Sequence, residues 1–331
     1  MNIDLVKQLV ESYGPSGFED NMRDHIRPLV EEFADEISVD PMGNLIARKR
    51  GDGTGLKVMI AAHMDEIGVM VTHITEKGFL RFTNIGGVFP TTLAGNRVQF
   101  ANGVIGVIYS EKRESSNEVH GLDKHYIDVG ATGREDCPVS VGDAAGFYRS
   151  FQAQGDFLVA KSMDDRIGCV VAIEALQRLE STPHDLYFVF SVQEEVGTRG
   201  AQAAANGLQP DVGIAVDVTL TGDTPEGPTM AVELRAGPTI KVRDGGMIAH
   251  TGLVRLMRRR AEEAGIPYQL EVLDGGSTDA RSIQIAGPGA VAGVISIPTR
   301  YVHTVSETVS AADVENSIQL LVEVLSKPIE L

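Results

Sequence analysis

Residues 186–195 read Leu-Tyr-Phe-Val-Phe-Ser-Val-Gln-Glu-Glu. An almost wholly apolar run of this length suits a strand covered on both faces, the kind found in sheets with helices on either side. The run ends on two adjacent acids, Glu194 and Glu195. In open α/β sheets the ligand crevice lies outside the carboxyl ends of the strands. One short stretch therefore suggests a fold class and points to one edge of it.

The same texture recurs on both sides. Residues 44–49, 57–62, 211–218, 268–273 and 291–297 read as strands. Periodic apolar positions predict helices over 2–13, 19–33, 165–180, 251–264 and 313–325, with Asp313 near the start of the last. Between Gly68 and Ser150 the pattern changes. Short alternating runs such as RVQF (97–100) and VIGVI (104–108) are separated by Gly, Asn and Asp turns, which predicts a small barrel or sandwich. The expected fold is an α/β catalytic domain with a mixed central sheet, interrupted by a small all-β barrel-like insertion. Its parts are residues 1–67 and 151–331, with the insertion over 68–150.

At 331 residues the chain can bury a full core in such an arrangement. A net charge of −17 argues against a nucleic-acid partner, since phosphate recognition needs a basic surface. No apolar run is long enough to span a membrane. The start, MNIDLVKQLVESYG, carries acids and lacks the form of a signal peptide. Two cysteines, Cys137 and Cys169, are too few for a disulfide framework, and the expected compartment is the cytoplasm.

Five apolar strands end on an acid or an imidazole. They deliver His63 with Asp65, Asp164 with Asp165, Glu194 with Glu195, Asp217, and His303. His63 and Asp65 are two residues apart, so an extended chain projects both from one face. That spacing suits a metal-binding histidine whose ring is oriented by a neighbouring acid. A carboxylate at the strand-to-helix junction of 164–165 can bridge two cations while its neighbour caps the helix. In the Glu194–Glu195 pair, one acid can ligate while the other takes a proton from an attacking water. Nitrogen and carboxylate donors suit zinc, cobalt or manganese and not a thiolate-seeking metal. Each residue alone is most simply structural or solvated; the five together, in this order, point to a two-metal hydrolase.

The segments AAHMDEIG (61–68), SMDDRIG (162–168), SVQEEVGTRGA (191–201), AVDVT (215–219) and PTRYVHT (298–304) closely resemble the tetrahedral, or TET, aminopeptidases. This group includes glutamyl and deblocking aminopeptidases and some proteins labelled endoglucanases. IGGVFP (85–90) and YIDVGA (126–131) extend the likeness into the insertion. The resemblance implies that Asp164 bridges two divalent ions, zinc or cobalt, with manganese also accommodated. His63 and Asp217 would complete one site, and Glu195 and His303 the other. Glu194 would be the catalytic base activating a metal-bridging water, with Asp65 orienting His63. The implied substrates are peptides with free N-termini. The implied assembly is a homo-oligomer, with dimers formed through the insertion building a tetrahedral dodecamer.

Two rivals remain at the level of sequence. A glycoside hydrolase could use paired carboxylates, but it needs no metal-binding histidine, and the absence of Trp removes the commonest sugar-stacking surface. A non-catalytic metal or peptide binder would not need Glu194 beside Glu195. The loop Gly275-Gly276-Ser277 either lines the substrate pocket, where glycine lets backbone approach a ligand, or forms an ordinary turn. Side-chain preference at the substrate's first residue is not encoded in any motif, since no Lys or Arg can be placed in the pocket from sequence.

Overall fold

The computed structural model describes residues 1–115 and 118–331. Its larger part is built on an 11-stranded mixed sheet. Four strands run parallel at the centre, in the order Asp185–Ser191, Lys57–His63, Val212–Thr219 and Val291–Arg300. Antiparallel strands flank them, Leu45–Lys49 on one side and Glu307–Ser310 with Phe157–Ala160 on the other.

Strand periodicity explains the layers. Along Lys57–His63, Val58, Ile60 and Ala62 enter the principal core, whereas Met59 and Ala61 enter a smaller one on the opposite face. The helices Met163–Arg178 and Ala311–Leu325 contribute to the first core. The helices Arg199–Leu208 and Asp279–Gln284 cover the second. Both faces of the parallel strands are thus apolar, as the run at 186–192 requires.

The insertion is a closed antiparallel barrel. Its strands follow the order Gly68–Ile74, Leu80–Ile85, His125–Asp128, Ile105–Ser110, Arg97–Phe100 and Ala144–Phe147. Ile105–Ser110 alternates exposed and buried positions throughout, with Ile108 in the barrel core and Gly106 leaving room for Ile127. The barrel has its own apolar core, including Val71, Phe82, Phe100 and Ile127.

Several elements go beyond the sequence expectations. The strands Glu36–Val39, Thr239–Arg243 and Glu307–Ser310 and the helices Arg199–Leu208 and Asp279–Gln284 were not anticipated by periodicity. The final helix is capped by Ser310, whose hydroxyl accepts from Asp313 N at 3.4 Å. Asp313 instead turns its carboxylate to Arg235 N and Gly237 N, at 2.6 and 2.8 Å. Among the described residues no helix is long and apolar enough to cross a membrane.

Candidate active site

The central strands and the bends after them bring the chemical groups to one edge. His63 ends its strand level with Ser191 on the parallel neighbour, and Asp217 lies level with Ser296. Glu194 and Glu195 follow a turn in which Gln193 has φ +55°, so both acids leave the strand path and reach the same place. Asp164 keeps extended backbone (φ −76°, ψ 107°) before the regular turns of Met163–Arg178 begin. His303 occupies the bend after Val291–Arg300, with φ +63°.

All five expected ligands converge. His63 Nε2 lies 3.0 Å from Asp164 Oδ1 and 4.0 Å from Asp217 Oδ1. His303 Nε2 lies 3.3 Å from Asp164 Oδ2 and 3.3 Å from Glu195 Oε2. Asp164 therefore turns one oxygen toward each histidine. Donor atoms of His63, Asp164 and Asp217 fall within 4.8 Å of one another, and so do those of Asp164, Glu195 and His303. Donors that each sit about 2.0–2.2 Å from one zinc-like ion must approach each other this closely. Glu195 Oε1 is buried without a hydrogen-bond partner, which fits an oxygen awaiting a cation better than a structural acid. Glu194 stands outside both triads, with Oε2 4.0 Å from His63 Nε2.

The charge balance makes the same point. Burial pushes the Glu194 and Asp217 carboxyls well above the carboxylate range, and Glu195 is raised too, because neighbouring acids add to the effect. Burial opposes charge on the histidines, but Asp164 outweighs it. With Asp65 it holds His63 well above the usual range, and with Glu195 it pushes His303 up to about 12. Without a cation the cleft must keep protons to tolerate so many acids; divalent ions would remove that need.

Backbone anchors hold these side chains in place. Asp65 Oδ1 accepts from Glu194 N at 3.0 Å and Oδ2 from Glu195 N at 3.1 Å, while Oδ1 lies 3.4 Å from His63 Nδ1. The expected orienting acid thus also fixes both glutamates, from just beyond the strand and not within it. Asp165 accepts from Gly168 N at 3.0 Å, as a helix-capping acid does, and from His63 N at 3.2 Å. Sequence reasoning missed Glu307, whose two oxygens accept from His303 N at 2.7 Å and Asp164 N at 3.0 Å. It also missed Glu19, which accepts from Gln193 N at 3.0 Å beneath the Glu194 turn.

The groups open into a cleft of about 490 Å³. Gly276 and Ser277 line it; Gly275 does not, and its carbonyl accepts from Gly245 N at 3.2 Å. Lys241 and Arg281 also face the cleft, which the sequence did not indicate. Lys241 is only 2% exposed and lies 3.3 Å from Glu271 Oε1, a buried carboxylate that Thr219 and Thr239 also serve with hydroxyl bonds. The signal available was Thr239-Ile240-Lys241-Val242, a lysine inside an apolar strand.

Two groups whose donor atoms could hold metal ions, at the carboxyl edge of an open α/β sheet, fit a metal-dependent hydrolase. Residues 43–320 match the M42 glutamyl aminopeptidase family, and the chain belongs to it. The enzyme is accordingly a metal-dependent aminopeptidase. A protein of Acetivibrio thermocellus, named as a candidate aminopeptidase, is 48% identical over 97% of this chain and 98% of its own. The structure of an aminopeptidase from the archaeon Desulfurococcus kamchatkensis superposes with a TM-score of 0.95 at 39% identity, covering 98% of this chain and 94% of that one. The TET1 peptidase of Pyrococcus horikoshii, which can assemble into a tetrahedron or a large octahedral shell, gives 0.87 at 32% identity, over 98% and 99%.

Proposed function

We propose that the enzyme removes the N-terminal residue of peptides with two divalent ions per chain. His63 and Asp217 would hold one ion, Glu195 and His303 the other, and Asp164 both. The observation that carries this reading is the placement of the two Asp164 oxygens, 3.0 Å from His63 and 3.3 Å from His303. The donor set suits zinc or cobalt and accommodates manganese. When bound, the ions would polarise the scissile carbonyl, acidify water and anchor the free amino end.

The protein's own groups do the rest. Glu194, the one cleft glutamate outside both triads, takes the proton of the attacking water and returns it to the leaving amine. Asp65 positions Glu194 through its backbone N–H and His63 through its ring. Gly276 and Ser277 contact the substrate, with Gly275 supporting that loop from behind. Lys241 and Arg281 at this end of the cleft favour an acidic first side chain.

The segment 68–150 acts as the insertion and dimerisation unit between catalytic segments 1–67 and 151–331. Dimers formed through it build a tetrahedral dodecamer, a reading supported by the shells of the Pyrococcus horikoshii relative. Two free cysteines support a cytoplasmic site of action.

The deciding experiment is hydrolysis of an aminoacyl-p-nitroanilide panel by metal-stripped protein after return of zinc, cobalt or manganese, with N-acetylated substrates as controls. Metal-restored cleavage of free amino ends alone is expected. Equal cleavage of acetylated substrates would overturn the amino-end reading, and full activity after stripping would overturn the metal reading.

A further inference from the structure

The barrel reaches into the cleft of the larger part. After the strand Leu80–Ile85 the chain runs through Gly86, Gly87, Val88 and Phe89. Val88 packs into the barrel core, whereas Phe89 is 51% exposed and lines the cleft. A Cβ placed on Gly87 would lie 2.4 Å from His303 Nδ1, so the backbone crosses the imidazole with no room for a side chain. The Phe89 ring centre lies 6.2 Å from that of His303, with the planes tilted by 35°. An aromatic ring left half in water beside a reacting centre is an unused apolar surface.

The cleft has two unlike ends. Lys241, almost wholly buried, shares the cleft wall with Asp217, Gly276 and Ser277. Phe89 stands in the open, beside His303. An aminopeptidase substrate has one side chain before the scissile bond and a continuing chain after it. The first can enter the buried end, but the continuing chain must leave by the open one. Building on the aminopeptidase reading, we propose that Phe89 is a specificity residue for the second residue of the substrate, packing against an apolar or aromatic side chain there. The barrel would thereby read the leaving part of the peptide, while the loops at the edge of the large sheet read the first residue.

The test compares kcat/KM for dipeptide amides that share one first residue and carry Phe, Leu or Gly second. Metal-loaded wild type, Phe89→Ala and Phe89→Leu are measured, and the state of assembly is followed by light scattering. Wild type is expected to favour Phe and Leu over Gly by roughly tenfold, the scale of one well-packed apolar contact. Phe89→Ala should bring that ratio close to one, and Phe89→Leu should keep the preference for Leu while losing most of that for Phe. Using a ratio within each variant cancels losses of folded protein or metal. An unchanged ratio in Phe89→Ala overturns the inference, as does a variant that falls apart as an assembly with its ratio intact. Cleavage of no dipeptide by wild type would instead sink the aminopeptidase reading beneath it.

Discussion

Carboxylates in the barrel and carboxylates at the edge of the large sheet are held in opposite states. Glu111, Glu118 and Asp136 lie at the barrel surface, where hydrogen bonds from Arg81, Glu114 N and Thr132 hold each below its ordinary range. Glu194, Glu195 and Asp217 are crowded and buried, and burial drives them upward. The residue types are the same, and the surroundings alone decide. A carboxylate solvated and locally bonded organises a turn; one desolvated among its own kind is costly to ionise and becomes a place for a cation or a moving proton.

The sharpest way to break this contrast is Glu194→Gln. The substitution keeps shape and removes only the proton-accepting oxygen, so turnover should fall by about 10²–10⁴-fold. Metal content, read by elemental analysis, should stay at the wild-type level; loss of metal would make Glu194 a ligand and end its role as base. Next in size is Lys241→Met, which removes the charge and preserves the length. The preference for glutamyl over leucyl anilides should drop roughly tenfold, the scale of one charge-assisted contact. A ratio that did not move would show that Lys241 serves Glu271 alone.

Metal binding itself tests the charge state. His63 and His303 have raised pKa values, as does Asp217, so the metal-free cleft holds on to protons that a cation must displace. Zinc titration in buffers of different ionisation enthalpy should therefore report release of about two or more protons per chain. The number should decline as pH rises and these groups empty beforehand. Binding without proton release would mean that the cleft acids are already ionised.

The smallest effect belongs to the barrel. Asp136 accepts from Thr132 N and Gly133 N at its turn, at 3.0 and 2.7 Å. Asp136→Ala should lower the melting temperature by about 1–2 °C and leave activity in place. Because the folded-state pKa is depressed, the contribution of Asp136 is present above the unfolded value of about 3.9 and disappears as pH falls below it. A large loss of activity would give the turn a catalytic importance that the contrast denies it.

Much of this was legible in sequence because it is local and repeated. An apolar run closing on an acid or histidine recurs five times; strand register sets His63 level with Ser191 and Asp217 level with Ser296, while Asp164 arrives from the flanking strand Phe157–Ala160. The barrel was legible from its alternation, visible in Ile105–Ser110. What escaped depends on contacts distant in sequence. Glu307 stands four residues after His303 in a short strand, and nothing nearby reveals that it also holds Asp164 N, 143 residues away. The helix Arg199–Leu208 was obscured by Gly200, which is a poor helix former. A Cβ there would meet Val192 O at 2.3 Å, so the tight packing of helix on strand demands the glycine that weakens the local signal. Lys241 and Phe89 gain their meaning only once a cleft exists for them to face.

Glu307 also sets how the centre can fail. One carboxylate holds the backbone of Asp164 with one oxygen and that of His303 with the other. A loosened bend after residue 300 would therefore release Asp164 together with His303. Damage at this point should not degrade the centre by degrees: it is a keystone, and both candidate metal-holding groups depend on a residue that belongs to neither.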